Sequence, residues 1–186
     1  MQEMAAGFKF STDGKFGFFY TYGAVDRSAT GTISIVIDTL HLLSDKDPGK
    51  DFTVKTQSKE GTGYRVQIED ANSYLLKNIP CSFFVGKERR DEYTDEHGII
   101  EINLPHCGSI HAFHKLFADL ASLIKDEKND SNHFGASLNP SLGQVSFKGI
   151  EYKVVGNKLI AIMPNFIFPM AVVVFKMNTT HYMPIE

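Results

Sequence analysis

The residues with the most evident capacity for chemistry are His106, Cys107, His111 and His114, four potential metal ligands within nine positions. Zinc takes neutral imidazole and thiolate at tetrahedral corners, and the donor atoms must converge to bonds of roughly 2.0–2.3 Å. On a helix, His111 and His114 project from neighbouring positions of the first turn, while His106 and Cys107 occupy the segment leading into it. The spacing matches no established zinc module. Histidines at the start of a helix are more often structural or solvated, and Ser109 is an ordinary N-cap there. Cys107 beside a histidine is also the pairing that thiolate nucleophiles use, although no third group that would orient the base can be named. These residues define one functional alternative, a small metal-dependent enzyme with zinc at 106–114.

A second set of residues suggests binding. In extended backbone Phe16, Phe18, Tyr20 and Tyr22 point to one face, with Gly17, Phe19 and Thr21 on the other. Aromatics are favoured in strands, so such a ladder is ordinarily core or cross-strand packing. Left exposed, Phe18, Tyr20 and Tyr22 form a platform on which unpaired bases stack without sequence readout. Lys55, Lys59 and Arg65, on or near a hairpin, supply the cations that meet phosphates.

The element expected to organise these groups is a helix over 109–126. Ile110, Phe113, Phe117, Leu120 and Ile124 recur at helical spacing, and Leu116, Ala121 and Leu123 widen the stripe. Lys115, Asp119, Ser122 and Lys125 fall on the opposite, solvated face. Most of the remaining chain has strand character. Strands are predicted at 8–10, 16–22, 32–37, 52–59, 64–69, 74–85, 98–104, 144–147, 150–155, 159–163 and 170–177, with a short helical turn at 40–43. Gly61-Thr62-Gly63 joins 52–59 to 64–69 as a hairpin, and Gly156-Asn157 forms a tight turn. Pro80 restricts its segment to an edge, bulge or break. The charged run 87–96, nearly balanced in sign, is a solvated loop or hairpin tip. Residues 1–6 have no pattern and predict a disordered end, and the polar stretch 127–143 predicts a mobile connection. The predicted fold class is α+β: a mainly antiparallel twisted sheet of about eight or nine strands packed on one principal α-helix, in a single domain spanning 1–186.

Composition narrows the function classes. The chain of 186 residues has 42% hydrophobic and 22% charged residues and a formal net charge of −3. This length suffices to bury a full core, and a polyanion would have to be held by a local basic patch. Two cysteines and no secretory-type N-terminal pattern predict a reducing, cytoplasmic location. The apolar run 166–177 is short and contains Pro169, so no membrane span is expected. Walker, dinucleotide-binding, nucleophile-elbow and His-Glu-x-x-His motifs are all absent from the sequence.

The order of strand 52–58, turn 61–63, strand 64–69, strand 99–104 and the amphipathic helix resembles the strand-strand-strand-helix unit of the PUR and Whirly single-stranded nucleic-acid-binding families. The likeness covers residues 50–126 and is one of alternation, without a motif. It departs from those families in the insertion 71–98 and in the lack of a second helix after Lys128. It implies a curved sheet with nucleic acid on one face and the helix on the other. The expectation is a non-enzymatic binding protein, with single-stranded DNA or RNA as its leading ligand. The competing expectation is a protein-interaction or assembly module, of the kind a virus-encoded or accessory component uses on a host partner; a homo-oligomer is compatible with either.

Overall fold

The computed structural model describes residues 4–23, 25–117, 120–148, 150–156, 158–162 and 174–176. The chain divides into two compact units, Met1–Pro48 with Gly143–Glu186, and Gly49–Leu142. Each has its own hydrophobic core. In chain order the strands are β1 (Met4–Phe10), β2 (Lys15–Tyr22), β3 (Val25–Val36) and β4 (Thr39–Ser44), followed in the second unit by β5 (Phe52–Ser58) and β6 (Tyr64–Glu69). The second unit continues with β7 (Pro80–Val85), β8 (Glu88–Tyr93), β9 (Ile99–Ile102), β10 (Ser109–Ala112), β11 (Ser122–Lys125) and β12 (His133–Leu138). The chain then returns to the first unit as β13 (Ile150–Val155), β14 (Lys158–Ala161) and β15 (Val174–Lys176).

The first unit is a seven-stranded antiparallel sheet in the order β1-β2-β3-β4-β13-β14-β15. Alternation decides its buried face. On β2, Phe16 and Phe18 are buried and Lys15 and Phe19 exposed; on β4, Leu40 and Leu42 are buried. The segment 145–147 lies against that face, carrying the buried Val145 and Phe147. Val145 N–H donates to Ser28 O (2.8 Å) and Phe147 N–H to Ser44 Oγ (2.9 Å), which fixes the plug. Phe147 meets Phe18 edge-on with ring centres 4.9 Å apart. Its ring centre lies 5.5 Å from that of Phe8 and 5.7 Å from that of Phe16. Edge-to-face contacts of this kind are the ones that the ring quadrupoles favour.

The second unit is a two-layer β structure with sheets β5-β12-β6-β9 and β11-β10-β7-β8. Val66 and Ile68 of β6 and Phe134, Ala136 and Leu138 of β12 pack in one core with Cys81 and Phe83 of β7, Ile110 and Ala112 of β10 and Ile124 of β11. Gly98, with φ at 77°, closes the turn before β9. A Cβ there would lie 2.3 Å from Ile68 O. No other residue fits without backbone movement.

The α+β class is overturned: strands dominate the described residues, and single 3₁₀ turns at Ser73–Leu75 and Lys115–Phe117 are their only helical elements. Where a helix is predicted over 109–126, β10 pairs antiparallel with both β7 and β11. The reason is local. Ser109, Ile110, His111, Phe113 and His114 all belong to the weaker half of the helix-propensity scale, and β7 has an edge that needs hydrogen-bond partners. Ile110 and Ala112 then face inward by strand alternation, as do Ser122 and Ile124 on β11. Ser122 and Lys125, placed on a wet helix face by the sequence pattern, are 1% and 3% exposed, whereas Leu120 and Leu123 are 42% and 51% exposed. Asp119 lies outside the described residues.

Five smaller expectations also change. Strands β5 and β6 are not a hairpin, because β12 lies between them, antiparallel to β5 and parallel to β6. Thus part of the predicted mobile connection 127–143 is a central strand. Residues 40–43 are strand rather than a helical turn, and Met4–Phe10 is strand where the lack of pattern over 1–6 predicts a loose end. The charged run contains an edge strand, β8, exposed along its whole length. Charge on an unpaired edge discourages association with other strands. Residues 163–173, 177 and Asn157, which belong to predicted strands, the apolar run and a turn, lie outside the described residues. No helix among the described residues is long and apolar enough to cross a membrane.

Candidate functional site

The four potential metal ligands are held apart in role by strand geometry. His106 is exposed in the loop before β10, and Cys107 is buried. The Cys107 thiol donates toward Ser109 O (3.1 Å) and Phe84 O (3.5 Å), and burial pushes its pKa up. His111 packs edge-on against Phe84 at 5.5 Å. His114 is buried, with Nε2 3.1 Å from Leu75 O. Since the carbonyl can only accept, Nε2 carries the proton. Its Nδ1 has no hydrogen-bond partner among the described residues. Among the described residues no three His, Cys, Asp or Glu side chains come together to hold a metal. The second cysteine, Cys81, is a core thiol whose pKa is pushed up to about 12 by burial. It stays protonated and inert.

His114 gives a pH dependence whose sign is fixed. Burial lowers its pKa below the ordinary histidine value, outweighing the bond to Leu75 O and the carboxylates of Asp51 and Asp70; burial lowers that of His111 as well. The unfolded chain therefore binds more protons near the ordinary histidine value. The stability that these histidines contribute is complete above about pH 6.5 and is lost as the pH falls through their folded values. Urea unfolding at about pH 7 and about pH 5 is expected to show this loss, and His114→Gln should reduce it. An unchanged slope in the variant would assign the acid sensitivity to other groups.

The residues expected to bind nucleic acid divide between the units. Phe18 is buried in the first unit with Phe16, Tyr20 is half-buried and Tyr22 is exposed. The exposed aromatic on the outward face is Phe19, which lies outside the set expected to stack. Lys55 and Lys59 in the second unit are exposed, but Lys59 pairs with Asp130 at 3.2 Å, and Arg65 pairs closely with Glu101. Both ion pairs dilute the basic field of that face.

Sequence reasoning missed two features. The first is the β3–β4 hairpin tip, where Val36 pairs with Thr39 and a two-residue turn is left at Ile37-Asp38. Ile37 has φ at 61° and is 97% exposed. Positive φ at the first central position of such a turn is ordinarily glycine's; a β-branched residue there is strained. Ile35 and Val36, also exposed, extend the apolar tip, and exposed Val155 ends the neighbouring strand β13. The run Ile33, Ile35, Ile37 contains the signal, but alternation assigns it to one buried face. The second feature is a cleft of about 750 Å³ in the second unit, lined by residues that include Lys59, Tyr64, His106 and Lys125. Here a residue from each predicted set, Lys59 and His106, shares one concavity.

No protein-family model matches this chain, and no curated protein or solved structure matches it significantly. The likeness to the PUR and Whirly unit fails on topology, since its helix is replaced by β10 and β11 and its first two strands are separated by β12. Over the described residues the fold is of the all-β class, in two units with separate cores.

Proposed function

We propose that this chain is a non-catalytic protein-interaction module that docks through the β3–β4 hairpin tip. One observation carries the reading: Ile37 combines near-complete exposure with a left-handed backbone conformation. That conformation costs a residue with a Cβ about 1–2 kcal/mol, so stability alone would favour glycine there. Strain at an exposed apolar residue points to a role outside the fold. Lys158, opposite Val155 on β14, is exposed and has no partner among the described residues, whereas Lys153 pairs with Asp38 at 3.3 Å. The fitting partner is a protein with an apolar pocket and an acidic rim.

Ile37→Gly is expected to raise stability by about 1 kcal/mol, because strain relief exceeds the added freedom of the unfolded chain. The same variant, and Ile37→Asp, should lose a partner that the wild-type chain retains in quantitative pull-down from cells, with sedimentation distinguishing a second copy of the chain. Equal retention by all three proteins, or no partner for the wild type, would overturn the reading.

A second reading, single-stranded nucleic-acid binding, rests on the exposed Tyr22 of the first unit. It requires oligonucleotide affinity that falls steeply with salt and weakens by ~1–3 kcal/mol in Tyr22→Ala. Absence of binding by folded protein at low salt removes it.

A further inference from the structure

We propose that the cleft of the second unit is a binding site for an oxyanion, the carboxylate or phosphate group of a small ligand. The inference is independent of the docking reading and rests on two hydrogen-bond donors left unused in its lining. Lys125 is 3% exposed. Its ammonium donates to Gly108 O (3.2 Å) and Asp126 O (3.0 Å), and among the described residues it has no carboxylate partner. A buried charge normally acquires a counter-charge, because neutral carbonyls offset only part of its desolvation. An ammonium has three N–H donors, so one remains.

The second donor is Tyr64. Its hydroxyl accepts from Cys107 N–H at 2.9 Å, and its own proton has no acceptor among the described residues. Tyr64 and Lys125 both line the cleft. They are anchored to adjacent residues, Tyr64 to the amide of Cys107 and Lys125 to the carbonyl of Gly108. An oxygen entering beside this peptide would accept from both groups. His106 is exposed, also lines the cleft and adds a third donor. Lys59 contributes little net charge because Asp130 neutralises it.

Glu127 also lines the cleft, so it opposes an anion at the rim and sets the sign of one control. Fluoride salts hold ionic strength constant while inorganic phosphate, and separately acetate, is titrated into the full chain by calorimetry and thermal unfolding. Saturable binding of phosphate or acetate is expected, and the stronger arm identifies the oxyanion class. Loss of the charged donor in Lys125→Met should weaken binding by roughly tenfold or more, and Tyr64→Phe by a few-fold. Glu127→Gln should tighten it. No saturation in either arm, or undiminished affinity in folded Lys125→Met, overturns the site. If Lys125→Met does not fold, undiminished affinity in Tyr64→Phe, or weaker binding in Glu127→Gln, overturns it instead.

Discussion

Replacing Phe147 by alanine is expected to destabilise the first unit by ~3–5 kcal/mol, a large share of what holds a typical domain folded. The ring is fully buried and touches the rings of Phe8, Phe16 and Phe18, which come from two strands of the sheet that it plugs. Truncation removes the transfer energy of the ring and leaves a cavity that these aromatic side chains, fixed by strand pairing, fill poorly. The backbone bond from Phe147 N–H to Ser44 Oγ survives the substitution, so the loss isolates packing. Phe19 on β2 is the control, since it is 51% exposed on the other face. Phe19→Ala should cost under ~1 kcal/mol. Denaturant unfolding of both variants checks the ordering, and equal losses would place the core on the wrong side of the sheet.

Where alternation is clean, the fold was legible. Residues 16–22, 64–69 and 150–155 are strands as their patterns predict. A period of two survives only in extended backbone. The pairing of β5 was not legible: its partner, β12, comes from a polar stretch, and no local signal shows that a distant segment will separate two adjacent strands. The stretch 109–126 misleads for a different reason. Two four-residue strands separated by a 3₁₀ turn put their apolar residues at intervals that mimic a helical stripe. The weak helix formers at 109–114 were the available counter-signal. For the candidate sites, residue type was legible and placement was not. The aromatic ladder places Phe16 and Phe18 in the core, and the strain at Ile37 exists only once the β3–β4 register puts it at the turn.

Ser122→Ala is expected to cost about 2–4 kcal/mol, although the sequence pattern predicts near silence for a serine on the wet face of a helix. In the structure Ser122 is 1% exposed, and its Oγ accepts from Asp51 N–H at 2.9 Å and Phe52 N–H at 3.2 Å. One hydroxyl thus tethers the start of β5 to β11. Alanine leaves two buried amides without that acceptor, each a desolvation loss of ~1–3 kcal/mol. Neighbouring Leu123 is 51% exposed. Leu123→Ala should remain within about 1 kcal/mol of wild type. A helix carrying Leu123 in its apolar stripe would give the reverse order, so the pair distinguishes the two secondary structures in solution. Hydrogen exchange tests the mechanism directly. The Asp51 and Phe52 amides should lose protection in Ser122→Ala beyond that explained by global destabilisation, while the β6 amides follow the global change alone. Retained protection at both amides, or a larger loss from Leu123→Ala, would overturn the tether.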